Sequence, residues 1–293
     1  MNIIGAVIVL FHPKIEQVIL NLKVIAATGI DIVLIDNTPA EDINYNKKDF
    51  TSINTRISYF SLGLNQGIGK AHNVGAGIVF NKLKCSFMLL LDQDSNPPAS
   101  IISDLLEAHK LLEFQGTKVG AVGANIFNPK LNKYYVDQTG NEESDENLIK
   151  VETLISSGSL ISHTAFTEIG PFDEELFIDF VDHEWCYRGA VHGARYFISK
   201  KAVLEHYMGQ EEDQFFRKSI FIATPKRTYY TYRNLITLLK RNYMPVRWKL
   251  LNIYHFSLKL AYYLIIAKDR NQYRKNIISG MKEGCSTKQK HTF

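Results

Sequence analysis

Short apolar runs alternate with amphipathic stretches along the first 125 or so residues. Residues 5–11 form a continuous apolar run that predicts a buried strand. Residues 14–27 follow with Ile15, Val18, Ile19, Leu22 and Ile25 at helical spacing. A second strand is expected over 31–35, stopped by the turn signal Asp36-Asn37-Thr38-Pro39. The pattern continues with strand 56–61, helix 68–80, strand 86–91, helix 98–114 and strand 119–126. Such β-α-β alternation predicts an α/β fold, a mainly parallel Rossmann-like sheet with helices on both faces. Sheets of this kind bind ligands outside the carboxyl ends of their strands.

Beyond residue 126 the pattern changes. Residues 141–147 are polar and acidic and read as an exposed loop. Residues 154–161 read as a strand interrupted by Ser156, Ser157 and Gly158, where a ligand or another backbone can approach closely. From about residue 211 the chain becomes helical and basic. This predicts a catalytic-type α/β domain over 1–210 and a helical segment over 211–293.

Charge sharpens that division. The chain carries only +4 overall, but residues 201–293 hold 18 Lys and Arg against 6 Asp and Glu. A basic terminal segment implies an anionic partner, nucleic acid or an acidic membrane surface, unless it is simply a solvated helical face. The basic residues carry no reading motif for nucleic acid, so that partner is not expected. Cys85, Cys186 and Cys285 lie far apart, which argues for a reducing compartment and against a disulfide framework or zinc cluster. No basic region precedes the first apolar run and His12-Pro13 ends it early, so it reads as a strand and not as a signal peptide.

Candidate chemistry gathers at strand ends. Asp92 and Asp94 close the run Phe87-Met88-Leu89-Leu90-Leu91, and strand alternation would point both carboxylates the same way. A divalent metal with a substrate diphosphate is one way to offset two such charges. The loop from Gly63 through Asn65, Gly67, Lys70 and Asn73 to Gly75 leads into a helix and suits close approach to a nucleotide. It also suits a plain tight turn. His72 at the third glycine position rules out a dinucleotide fingerprint. Asp182 falls in the first turn of a helix expected from Val181, where the dipole favours a carboxylate of the kind a general base requires. A capping role is the simpler alternative. His206 follows the apolar Ala202-Val203-Leu204, and a lone histidine there is more often structural than a ligand.

Taken together these segments resemble the inverting glycosyltransferases of family 2, with the GT-A fold, over about residues 3–210. The parts come in family order: the strand ending at Phe11, Asp36-Asn37, the Asn65–Gly75 loop, Asp92-Gln93-Asp94, Gly170-Pro171-Phe172-Asp173-Glu174, Asp182 and His206. Leu91-Asp92-Gln93-Asp94-Ser95 and the run from Phe177 to Trp185 look most like bacterial rhamnosyltransferases. The resemblance implies nucleotide-sugar contacts from Phe11, Asp36, Asn37, Asn65, Gly67, Lys70, Asn73, Asp92 and Gln93. Asp36 would recognise the pyrimidine base. Asp92 and Asp94, with His206 as a further ligand, would hold Mg²⁺ or Mn²⁺ and the diphosphate. Asp182 would be the catalytic base. The first acid of the family's catalytic pair is here Val181, which leaves Glu184 as a second candidate. The implied donor is dTDP-β-L-rhamnose. The implied acceptor is a saccharide or a lipid-linked oligosaccharide of a cell-surface polysaccharide.

The segment 215–275 mixes aromatic, aliphatic and basic residues, and Asn252, His255, Ser257 and Lys259 break its longest apolar stretch, so a spanning helix is not expected. Interfacial helices on an anionic membrane, a homo-oligomer interface, or packing on the first domain all fit. The expected location is cytoplasmic, with attachment to the inner face of the cell membrane under the first reading. Three other functions compete with that reading. A family-2 transferase using a UDP-hexose donor is the first alternative. A sugar nucleotidyltransferase needs a glycine-rich loop after the first strand, where this chain has Phe11-His12-Pro13. A non-catalytic carbohydrate- or lipid-binding scaffold has no need to keep Asp92, Asp94, Asp182 and His206 together.

Overall fold

The computed structural model describes residues 4–129, 131–136, 147–205, 212–215 and 218–287. The expected acidic loop 141–147 lies almost wholly outside the described residues, and His206 lies outside them too. Two compact units are present: residues 1–177 with 181–207, and residues 178–180 with 208–293.

The first unit is built on a nine-stranded sheet in the order β3-β2-β1-β4-β8-β5-β9-β7, with β6 paired to β5. These strands are β1 (Ile4–Leu10), β2 (Asp31–Asp36), β3 (Ile57–Ser61), β4 (Phe87–Asp92), β5 (Val119–Asn128), β6 (Lys133–Tyr134), β7 (Leu148–Val151), β8 (Ser159–Ser162) and β9 (Arg195–Glu205). β3, β2, β1 and β4 are parallel. β8 then runs antiparallel between β4 and β5, and β5 and β9 are again parallel. β1 is buried at every position, as an unbroken apolar strand covered on both faces must be.

The helices of this unit are α1 (Ile15–Ala26), α2 (Lys48–Thr51), α3 (Ile68–Ala76), α4 (Ile101–Phe114), α5 (His163–Ile169) and α6 (Val181–Val191). α1 buries Val18, Leu22 and Ile25, and α4 buries Ile101, Leu105, Ala108 and Leu112. Both sets follow the i, i+3/i+4 rhythm of one helical face. These side chains join Ile4, Ala6, Ile8 and Leu10 of β1 in one core. α3 approaches β1 backbone-first: a Cβ at Gly75 would stand 2.4 Å from Val7 Cγ1.

Two local expectations are corrected. Residues 154–158 are not strand, and β8 begins only at Ser159. Gly158 takes φ +79°, its N–H bonds Leu90 O at 2.8 Å, and Ser157 Oγ accepts from the Asp92 N–H. The small residues thus cap the end of β4 instead of extending the sheet. In the second unit the chain first forms a hairpin, β10 (Glu212–Phe215) with β11 (Lys218–Phe221), where helix was expected.

The second unit continues with α7 (Pro225–Leu239), α8 (Val246–Ile265) and α9 (Arg270–Ser286). Thr224 caps α7, accepting from the Arg227 N–H, with Pro225 at the first helical position. Tyr232, Tyr262, Tyr263, Tyr273 and Ile277 form the core of this unit. The triplet Ile178–Phe180 belongs to it. Asp179 takes two bonds from Arg227, at 3.0 Å from Nε and 2.5 Å from a terminal nitrogen, and one from Thr231 Oγ1 at 2.6 Å. Asn234 Nδ2 donates to Ile178 O and Asp179 O, and Phe180 meets Trp248 and Phe256 edge-on or tilted.

Candidate active site

Parallel pairing of β1 with its two neighbours aligns their carboxyl ends, with Leu10 opposite Asp36 and Val9 opposite Asp92. Three expected site segments therefore meet at one edge of the sheet. Gln93 ties two of them together. Its Oε1 accepts from the Phe11 N–H at 2.8 Å and its Nε2 donates to Phe11 O at 3.0 Å, continuing the strand pairing by side chain. The Phe11 ring remains 41 % exposed at this edge, an apolar face open for stacking.

Asp36 is fully buried. Its carboxylate accepts from Tyr45 Oη, Tyr59 Oη and the Thr38 N–H. Burial, reinforced by the bond to Asp36, pushes both phenols well above the usual tyrosine range, so they stay protonated and donate. Both oxygens of Asp36 are thus engaged within the protein, and any base contact must use their remaining lone pairs. Tyr45 and Tyr59 were not anticipated.

Asn37 and Asn65 shape the loop that follows. Asn37 Nδ2 donates to Asn65 Oδ1, Asn37 Oδ1 accepts from the Gln66 N–H, and Asn65 Oδ1 also accepts from the Gly67 N–H. Gly67 (φ +84°) is required twice over, because a Cβ there would lie 2.6 Å from Phe177 O. Lys70 and Asn73, expected to meet the nucleotide, face the Phe172–Glu174 segment. Asn73 exchanges two hydrogen bonds with the Phe172 backbone and donates to Glu174, while Lys70 pairs with Glu174 at 3.2 Å. His72 packs against Phe172. Complete burial lowers its pKa to about 4, so it is neutral.

β4 ends at Asp92, and Gln93 and Asp94 belong to the turn closed by Ser95 N–H to Asp92 O at 3.2 Å. The strand alternation expected to align the two carboxylates therefore stops two residues before Asp94. Asp92 is half-buried and Asp94 exposed. Among the described residues no group of three or more His, Cys, Asp and Glu side chains is assembled to hold a metal. The hard oxygens of Asp92 and Asp94 fit a divalent cation whose other ligands come from water and a diphosphate.

Asp182 sits in the first turn of α6, half-buried. Its Oδ2 accepts from the Ser156 N–H at 3.1 Å and its Oδ1 from the His183 N–H at 2.9 Å. Ser157, the next residue, supports Asp92 and shares a 2.6 Å bond with Ser95. The two consecutive serines therefore connect the end of β4 to the start of α6. They are supporting residues that the sequence marked only as a run of small side chains.

Glu184 is a different kind of acid. It is 1 % exposed and both its oxygens are taken by Arg188, at 2.9 and 3.1 Å. Arg188 in turn donates to Ile169 O and Pro171 O, and Trp185 Nε1 donates to Gly170 O at 2.8 Å. Helix α6 thus keeps Asp182 half-buried on the Ser156 N–H and uses Glu184, Trp185 and Arg188 to fix the Gly170–Phe172 segment.

No protein-family model matches the chain. It is 28 % identical over 294 residues to dTDP-rhamnosyl transferase RfbF of Shigella flexneri, covering 96 % of this chain and 95 % of that one. Among solved structures it is similar to S. aureus TarS residues 1–349 (TM-score 0.58, 16 % identity, 97 % of this chain and 81 % of that one). It is also similar to GalNAc-T7 crystallised with UDP, GalNAc and Mn²⁺ (TM-score 0.57, 12 % identity, 89 % and 56 %). The chain spans about half the length of the longer TarS structure it matches (49 %). What these comparisons share with the present chain is architecture: a Rossmann-like α/β sheet flanked by helices, the GT-A-like fold.

Proposed function

We propose that the protein is an inverting, metal-dependent glycosyltransferase of family 2 that moves L-rhamnose from dTDP-β-L-rhamnose to a hydroxyl of a saccharide acceptor. The observation that carries the reading is the Ser156-Ser157 bridge, which brings Asp182 to the strand end that bears Asp92. A GT-A-like fold and near full-length similarity to a dTDP-rhamnosyl transferase support it.

In this reading the exposed Phe11 ring stacks on the thymine, and Asp36, Asn37, Asn65 and Gly67 shape the nucleoside pocket. Asp92, Asp94 and Gln93 face the ribose and diphosphate. Asp92 and Asp94, with His206 as a further candidate ligand, would hold Mg²⁺ or Mn²⁺, which would supply positive charge to the leaving diphosphate. Asp182 accepts the proton of the acceptor hydroxyl. That oxygen bonds to the anomeric carbon as the bond to the dTDP oxygen breaks, inverting the centre and releasing dTDP. What favours Asp182 over Glu184 is orientation: the Asp182 carboxylate is fixed by two backbone N–H groups, whereas Glu184 is enclosed with Arg188. Lys70 and Asn73 reach the nucleotide only by leaving Glu174, so their role here is to hold the Phe172–Glu174 segment.

The test is a panel of nucleotide sugars incubated with purified protein and Mn²⁺, with release of the nucleoside diphosphate as readout. Turnover of dTDP-β-L-rhamnose above UDP-glucose and UDP-N-acetylglucosamine is expected. Turnover of UDP-hexoses alone would overturn the donor assignment, and turnover of none, with no nucleotide binding, would overturn the transferase reading.

A further inference from the structure

α8 is apolar on both sides. Its inner face buries Trp248, Tyr262 and Tyr263 within the second unit. Its outer face carries Val246, Leu250, Ile253, Tyr254, Leu264 and Ile265, exposed by 71, 63, 46, 54, 41 and 65 %. At 3.6 residues per turn these six fall within an arc of about 120°, in two groups at the start and the end of the helix, with the polar Arg247 and Ser257 on the same arc. A helix with a largely apolar solvent face departs from the normal pattern of a surface helix, whose outward positions are polar, and exposed apolar groups clustered on one face mark a surface that something covers.

Charge indicates what covers it. α8 contains no acid, and Arg247 and Lys249 stand in its first turn. Residues 225–287 together hold 13 Lys and Arg against 2 Asp and Glu. A second copy docking on this face would bring two strongly cationic surfaces together, whereas an anionic bilayer attracts the same surface. Tyr254 within the stripe suits the headgroup level, and the helix is not one that crosses: among the described residues none is long and apolar enough.

We propose that the outer face of α8 is a docking surface for an anionic lipid bilayer, lying in the interface plane with its apolar stripe towards the acyl chains. The inference is independent of the donor sugar and of the transferase reading, because its readout is binding.

The experiment is flotation of the full-length protein with vesicles of phosphatidylcholine alone or with about 30 mol % phosphatidylglycerol. Binding to the anionic vesicles should be roughly tenfold tighter and should weaken when salt is raised from about 0.1 M to about 1 M, where screening shortens to a few ångströms. Leu250→Glu with Ile253→Glu should cut binding by roughly a further tenfold while leaving the melting temperature and nucleotide binding unchanged. Because both residues are exposed, misfolding is not expected, and Val246→Ser with Leu264→Ser is the milder second variant. Equal binding to both vesicle types, or binding unaffected by either double variant, would overturn the proposal. So would a micromolar dimer in sedimentation that both variants dissociate, which would assign the face to a second copy.

Discussion

Replacing Glu184 by Gln tests which acid of α6 belongs to chemistry and which to structure. Glu184 and Arg188 form a buried ion pair, with side chains 1 % and 11 % exposed. Gln keeps the size and one acceptor oxygen but removes the charge, so Arg188 is left with the two carbonyls of Ile169 and Pro171 and a weaker third partner. Breaking a buried pair from one side costs ~3–5 kcal/mol, and the surviving acceptors place this case near the low end, at roughly 3 kcal/mol. For a chain of 293 residues that corresponds to a fall in melting temperature of about 5 °C. Asp182→Asn should do the reverse. One of its two backbone bonds is kept and its site is half-exposed, so stability should fall by only about 1 kcal/mol. Transfer should drop by roughly 10² to 10⁴, with nucleotide affinity little changed. Thermal unfolding by circular dichroism and release of dTDP, both on the same preparations, separate the two effects. An unshifted melting temperature together with lost transfer in Glu184→Gln would show that the base had been assigned to the wrong acid.

Three further outcomes are expected. Asp94→Ala should abolish Mn²⁺-dependent nucleotide binding in calorimetry with the fold intact, and unchanged affinity would remove Asp94 from the site. Tyr59→Phe deletes a donor to the buried Asp36 carboxylate and should cost about 1.5–3 kcal/mol in urea unfolding; no change would mean that water replaces the phenol. His72, lowered to about 4 by burial, binds a proton more readily when unfolded. Stability should therefore be complete above about pH 6.5 and fall towards pH 4, by about 3 kcal/mol over that window. His109, lowered for the same reason, adds in the same direction, and His72→Gln should flatten the slope without abolishing it.

Much of the first unit was legible because its signals are local. Apolar runs gave β1, β2 and β4, helical spacing gave α1 and α4, and the start of α6 followed from Val181-Asp182. The rest depends on partners far away in the chain. Nothing near Asp36 announces that Tyr59 would cap it from 23 positions on, and Asn73 meets Phe172 across 99. The small residues at 156–158 suited a strand interrupted by a ligand, but their free donors and acceptors closed the end of β4. The distinction between Asp182 and Glu184 was likewise invisible, since both carboxylates lie in the first turn and only burial separates them. The exposed stripe of α8 was hidden in a mixture of apolar and basic residues whose inner and outer faces are equally apolar.

The triplet Ile178–Phe180 makes the second unit discontinuous in sequence. No single cut separates the two units: a chain ended after residue 207 keeps Asp179 and Phe180 but loses Arg227, Thr231, Asn234, Trp248 and Phe256, all of their partners described above. Such a truncation frees the chain two residues before Asp182, so a dead fragment would say nothing about whether residues 208–293 take part in chemistry. The same holds for grafting. A helical segment borrowed from another protein and joined at residue 208 needs the matching triplet inserted at 178–180, which makes the exchange a two-site operation and ties any divergence of the terminal helices to three residues at the entrance of α6.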